Sequence, residues 1–248
     1  LFGGKGSGKS TFIKRLLHHN PPQWLREHAV IAIVDLLKIP EDVATIRETI
    51  WKTLITQLDP TRLLDSDRES LLSTLFKDRF TVAMKQDLAG LPLESDAYNL
   101  RLNGLVASWK EDKHYCCERL VEYWGVEGRG AIVAVDNTDQ YTSEVQDFCF
   151  SSAQEIAAKL NCVALISMRE ERFYDSKIHG VLDAFQNAGF HISSPKPSEV
   201  FRKRLDYTAS LLADENKREQ FIGDVDSSFA NDSIIYLRIL MNEFSNEN

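Results

Sequence analysis

The residues Gly3-Gly4-Lys5-Gly6-Ser7-Gly8-Lys9-Ser10 carry a complete G-x-x-x-x-G-K-[ST] pattern. The chemistry open to such a stretch is to hold a phosphate chain. Glycines let the main chain close around an anion and take positive φ, and a helix behind the loop adds its partial positive N-terminus. Lys9 is then placed for the β- and γ-phosphates and the Ser10 hydroxyl for Mg²⁺, with Thr11 a weaker neighbour of the nucleotide. The run Thr11-Phe12-Ile13-Lys14-Arg15-Leu16-Leu17 can begin that helix. A chance glycine-rich turn is the competing explanation. Four glycines, Lys and Ser all in place before an apolar helical run argue against it.

Two more groups of chemical interest follow apolar runs. Ala131-Ile132-Val133-Ala134-Val135 leads into Asp136-Asn137-Thr138-Asp139-Gln140. A hydrophobic strand ending in Asp positions a carboxylate on the Mg²⁺ of the P-loop, directly or through water, so Asp136 takes that role. Asp139 is the remaining carboxylate that could orient or deprotonate an attacking water; capping of a helix by Asp139 or Asn137 is the alternative. Cys162 to Met168 reads as a third strand, with Arg169 at its end. A cation there lies at the edge where open α/β sheets bind ligands, which suits a γ-phosphate sensor. Its alternative is pairing with Glu170, Glu171 or a surface carboxylate. Arg172 or Lys177 could reach a neighbouring subunit's nucleotide, although solvated side chains without function are the simpler reading of each.

The elements needed to position these groups can be followed along the chain. Ala29 to Leu37 is a continuous apolar run of the kind buried on both faces of a parallel sheet. Pro40 and Glu41-Asp42 open a helix with Val43, Ile46, Ile50, Leu54 and Leu58 at three- and four-residue steps. From Asp59 to about Gly128 the chain reads as helical and charged, longer than one crossover needs, and much of it is expected to be an insertion. Within it, His114-Tyr115-Cys116-Cys117 is better read as a packed helix face than as a metal site. A helix over Glu144 to Leu160, a short strand at Phe190-His191-Ile192, a helix from Ser198-Glu199 to about Leu212 and a small helical bundle from Arg218 to Phe244 complete the pattern. His191 reads as structural. The expected division is a nucleotide-binding core over 1–195, with the insertion at about 59–128, and a helical subdomain over 196–248.

Composition bounds the function. With 248 residues, 43% of them hydrophobic, the chain can bury the core of one α/β domain with a smaller appendage. No apolar run approaches the roughly 20 residues of a membrane span. The four cysteines match neither zinc-ligand spacing nor a disulfide framework, which favours a reducing cytoplasm. A net charge of −8 argues against nonspecific nucleic-acid binding, which is driven by many Lys and Arg on phosphates. The triplet Arg202-Lys203-Arg204 reads as a solvated helix face. Only Leu1 and Phe2 precede the loop and there is no initiator Met, so the chain is expected to continue upstream, with a first strand and further domains there.

The order of loop, strand ending in Asp136 and Asp139, strand ending in Arg169 and helical tail resembles the additional-strand branch of P-loop NTPases. Within that branch the resemblance is to the signal-transduction ATPases with numerous domains (STAND), the KAP-type NTPases and AAA+ relatives such as origin-recognition ATPases. "AIVAVDNTDQ" resembles their Walker B segment and "CVALISMRE" the strand that ends in a sensor Arg in the STAND group. The resemblance implies an α/β three-layer sandwich with a parallel sheet of order 5-1-4-3-2 and a C-terminal helical lid. It further implies hydrolysis of ATP with Mg²⁺ to drive oligomerisation or switching, a homo-oligomer, and effector or sensor domains outside this segment. Bacterial relatives of this kind often serve in antiphage defence, which is an analogy.

Two departures stand out. Asn137 occupies the place where many hydrolytic relatives carry a water-polarising Glu, and Arg238, after Ala230-Asn231-Asp232, departs in spacing from the lid sensor Arg of AAA+ proteins. The alternatives kept open are an AAA+-like motor or loader acting on nucleic acid, a small-molecule kinase, and a nucleotide-binding scaffold without turnover. No N-K-x-D stands in the chain, which leans toward ATP over GTP.

Overall fold

A computed structural model describes residues 1–179, 189–222 and 227–246. The chain is mixed α/β, mostly helical, with small parallel sheets. It divides into two compact units, Leu1–Ile192 and Ser193–Asn248.

The first unit starts with β1 (Phe2–Gly3), the glycine loop, α1 (Lys9–Lys14) with a wider π turn over Arg15–His19, and α2 (Gln23–His28). Next come β2 (Ala29–Asp35) and α3 (Val43–Leu58). Asp42 caps α3, its side chain accepting from Thr45 N–H at 2.7 Å, and the helix buries Ile46, Ile50, Trp51, Leu54 and Leu58. Four helices follow: α4 (Arg68–Ser73), α5 (Lys77–Lys85), α6 (Asp96–Glu111) and α7 (Lys113–Val126). Then come β3 (Gly130–Asp136), α8 (Ser143–Leu160), β4 (Val163–Ile166), β5 (Met168–Arg169) and α9 (Glu170–His179).

Strands β2, β3 and β4 form one parallel sheet in that order, and β1 pairs in parallel with β5. The β2–β3 register sets Val30 to Asp35 against Ala131 to Asp136 residue by residue, so both strands end together in an acid. Alternate residues feed two clusters. Val30, Ala32, Val34, Val133 and Val135 join the large core with α3 and the α4–α7 segment, whereas Ala29, Ile31, Ile33 and Ala134 pack with Ile13, Leu17 and Leu25 of the loop side. Helices therefore cover both faces of this sheet, which explains the unbroken apolar run in β2.

The long segment between β2 and β3 shares this core. Phe76, Leu102, Trp109, Leu120 and Trp124 are buried in the same cluster as the strands, and Trp124 Nε1 donates to the Leu58 carbonyl at 2.7 Å. His114 stacks on Trp51, with ring centroids 3.8 Å apart, and Cys116 and Cys117 are fully buried. Burial pushes the Cys116 thiol up to about 11. With Tyr115, Cys116 and Cys117 buried and His114 stacked on Trp51, this stretch packs as a helix face.

Three expectations are corrected. The strand foreseen from Cys162 to Met168 is interrupted at Ser167, whose hydroxyl turns to Asp136, and resumes as β5, which ends at Arg169 as expected. The strand foreseen to Leu37 stops at Asp35, whose carboxylate takes the Leu37 N–H at 3.0 Å and bends the chain away. Phe190-His191-Ile192 makes only an isolated parallel bridge, Phe2 to His191, flanked by Phe2 N–H to Phe190 O at 2.9 Å and Ile192 N–H to Phe2 O at 2.7 Å.

The second unit holds α10 (Pro197–Ala213), α11 (Glu215–Ile222) and α12 (Ser227–Asn246), with α10 packed on α12 and Leu212 and Ala230 buried. Arg202, Lys203, Arg204 and Arg238 are exposed. Among the described residues no helix is long and apolar enough to cross a membrane.

Candidate functional site

The loop from Gly3 to Ser10 turns back on itself. Ser7 N–H donates to Gly4 O at 3.2 Å, and Gly6 and Gly8 have φ of 79° and 94°, the left-handed region in which a side chain is strained. At Gly3 the constraint is space, since a Cβ there would lie 2.3 Å from the Ile192 carbonyl oxygen. The loop thus needs glycine at Gly8 for its turn and at Gly3 for close approach. Lys5, Gly6 and Thr11 are exposed, while Gly3, Ser7 and Lys9 are buried.

Lys9 is the centre of this arrangement. Its ammonium donates to Gly3 O at 3.0 Å and Gly4 O at 3.1 Å, inside the loop it stabilises. An ammonium has three protons. Asp139 Oδ2 lies 3.9 Å away, beyond hydrogen-bonding reach, so the third proton is left for a closer anion. The same Asp139 oxygen pairs with Arg169 Nε at 3.4 Å. One carboxylate oxygen thus stands between the loop lysine and the strand-end arginine.

Asp139 lies in a 3₁₀ turn, Thr138–Gln140, with Asn137 at its N-cap position but making no side-chain capping bond, and α8 begins at Ser143 with Thr142 as its N-cap. Asn137 takes φ of 61°. Its N–H donates to Ser167 Oγ at 3.2 Å, its Nδ2 to Asp35 Oδ1 at 2.6 Å, and its Oδ1 accepts from Ser10 Oγ at 3.3 Å. The turn is locked to the end of β2 by Tyr141, whose hydroxyl donates toward Leu36 O (3.0 Å) and Ile39 O (2.9 Å).

Asp136 is 1% exposed. Its Oδ1 accepts from the Ser167 hydroxyl at 2.5 Å, and its Oδ2 has no hydrogen-bond partner among the described residues. A buried carboxylate oxygen without a partner costs desolvation that nothing nearby repays. Ser7 Oγ is likewise buried and unpartnered, within the loop. The first orphan suits a cation or its water, the second a donor to an anion. The residues present therefore fit Mg²⁺ with a phosphate chain.

Of the residues singled out in the sequence, Lys9, Asp139 and Arg169 are joined by charge contacts, whereas Ser10 makes its side-chain contact with Asn137. Asp136 touches this group through Ser167 and Asn137. Arg172 is excluded as a free cation: it lies on α9, bonded to Asp147 and to Ser143 O. The Lys177 side chain lies outside the described residues. His191 stacks on Phe2 and stands 3.5 Å from Glu170, a structural position. Three residues escaped sequence reasoning: Asp35, Lys14 and Ser167. Burial would raise the Asp35 carboxyl, but the Lys14, Asn137 and Leu37 hydrogen bonds outweigh it and hold it below the usual carboxylate range. Lys14 is raised in turn, first by that hydrogen bond to Asp35. The signal was present, since Asp35 ends an apolar strand just as Asp136 does.

Comparison with models of known families, with curated proteins and with solved structures finds no match to this chain.

Proposed function

We propose that the chain is a Mg²⁺-dependent ATP-binding and ATP-hydrolysing module that drives oligomerisation or conformational switching of a larger protein. The observation that carries this reading is the buried Lys9 ammonium, bound to the Gly3 and Gly4 carbonyls inside a loop of matching sequence, with an unused proton and Asp139 just out of reach. Lys9 and the loop N–H groups hold the β- and γ-phosphates. Ser10 Oγ and Asp136 Oδ2 would hold the cation, which would supply charge to neutralise the phosphates. Asp139 orients the attacking water once the γ-phosphate has taken over Lys9 and Arg169, and Arg169 stabilises the charge that develops.

The finer fold reading belongs here. Met168 N–H donates to Leu1 O and Ser167 N–H to Val135 O, both at 3.0 Å, which supports joining the two small sheets into one. If β4 and β5 count as one fourth strand and the segment at His191 as the fifth, the order reads 5-1-4-3-2, that of an additional-strand P-loop sandwich. ATP turnover by the chain and by Lys9→Ala tests the function. Turnover dependent on Mg²⁺ and lost in Lys9→Ala supports it; equal turnover in both refutes it.

A further inference from the structure

One polar chain runs from the solvent side of α1 to the P-loop serine. Lys14 Nζ donates to Asp35 Oδ2 at 2.9 Å, Asn137 Nδ2 donates to Asp35 Oδ1 at 2.6 Å, and Ser10 Oγ donates to Asn137 Oδ1 at 3.3 Å. None of the roles assigned above uses Asp35, although the strand register sets it opposite Asp136.

The chemistry of an amide gives this chain a direction. An asparagine side chain donates from one end and accepts at the other, whereas a carboxylate only accepts. Asp35 therefore draws the NH₂ of Asn137 to itself, and the amide oxygen is left facing Ser10. With that oxygen as acceptor, the Ser10 proton points at Asn137 and the hydroxyl lone pairs stay free. If the amide turned over, its NH₂ would face Ser10 Oγ and occupy the lone pair a cation needs. Lys14 holds the other carboxylate oxygen, so the end of β2 is fixed against the helix that carries Ser10.

We propose that Asp35 is a positioning residue of the Mg²⁺–triphosphate site: it sets the orientation of Asn137 and, through Asn137, turns the Ser10 hydroxyl so that its oxygen faces the cation. The proposal rests on the nucleotide reading above and adds a residue to it. Asp35 acts at one remove, as residues behind a metal's direct ligands do, and their loss commonly costs about 10- to 100-fold in metal affinity.

The test is calorimetric titration of ATP into the whole chain, in Mg²⁺ and in EDTA, for wild type, Asp35→Ala, Asn137→Ala and the double variant. The expected result is that wild type binds ATP more tightly with Mg²⁺, and that Asp35→Ala loses about 10-fold or more of that gain while its affinity in EDTA is kept. The double variant should lose no more than the worse single one, since Asp35 acts through Asn137. An unchanged Mg²⁺ gain in Asp35→Ala, an equal fall in Mg²⁺ and EDTA, or losses that simply add would each overturn the proposal. Should Asp35→Ala not fold, Lys14→Met carries the test, because that ion pair is partly solvent-exposed. A smaller loss of the same Mg²⁺ gain is expected, and no loss overturns the proposal. Wild type that binds no ATP under either condition brings down the nucleotide reading itself, a result distinct from all of these.

Discussion

Around Tyr115 in the helical layer and around Asp136 at the loop end of β3, the chain places charged groups in two different settings, partly exposed against a buried tyrosine in the first and fully buried in the second. In the helical layer opposite charges meet. The Tyr115 hydroxyl donates to Asp78 at 2.5 Å, Arg79 lies 3.5 Å over the Tyr115 ring and pairs with Asp112 at 2.7 Å, and Arg119 adds a second cation beside Asp78. Burial and the Asp78 bond push the Tyr115 hydroxyl far above its ordinary value, so it stays neutral and donates. At the end of β3, Asp136 is more deeply buried yet keeps one oxygen unpartnered. Folding alone gives no reason for this, because a half-paired buried acid works against stability. The first network serves the fold; the second suits a site completed from outside.

Substitutions can break that contrast. The largest effect is expected in the helical layer. Phe76 is fully buried between Trp109 and Tyr115, so Phe76→Ala should cost about 3–5 kcal/mol in chemical denaturation while the folded fraction keeps its ATP affinity. At the site, Asp139→Asn should slow turnover by about 10²-fold with ATP binding spared, read by steady-state kinetics beside calorimetry. Unchanged turnover removes Asp139 from the catalytic residues.

Asp136→Asn sharpens the comparison most. Replacing an acid that has one oxygen bonded to Ser167 and the other unpartnered should leave the unfolding free energy within about 1 kcal/mol of wild type or raise it, while the Mg²⁺ dependence of ATP binding collapses. A large loss of stability would instead make Asp136 a structural acid like Asp78.

The smallest effect is a shared one. Burial would raise Asp112 and Asp78, but hydrogen bonds, first from Arg79 and Tyr115 respectively, lower both, as Lys14 does for Asp35. A depressed folded pKa contributes stability above the ordinary carboxylate value, and that contribution fades as pH falls through the lowered one. Thermal melts should therefore be flat from pH 7 to about 5 and decline below about pH 4 in both regions. Asp112→Asn should flatten part of that decline.

Much of this contrast was legible beforehand, and what was not has physical causes. The glycine loop could be read from its own pattern, and Asp136, Asp139 and Arg169 because each lies at or just beyond the end of an apolar run, the edge where a parallel sheet presents ligands. The start of α3 at Asp42 and the buried Ile46, Ile50, Leu54 and Leu58 followed from local spacing, whereas Val43 at the first turn is exposed and Trp51 joins the stripe. Asp35 carries the same strand-end signature, but its meaning depends on the β2–β3 register, a tertiary fact. The break at Ser167 was hidden for a similar reason: its cause is a hydroxyl bond to Asp136, 31 positions earlier. The helical segment reads as an insertion because it is longer than one crossover needs, and its charge hid the buried stripe that shares the core over β2 and β3. Charge marks only the faces a helix does not bury.

The central claim is that the polar edge is built around a triphosphate and its cation. Isothermal titration of ATP into the chain, with Mg²⁺ present and then with EDTA, tests it most directly, with Lys9→Ala as the control. Saturable binding strengthened by Mg²⁺ and lost in Lys9→Ala is predicted. No binding by the folded wild-type chain, or binding that Lys9→Ala retains in full, would contradict it.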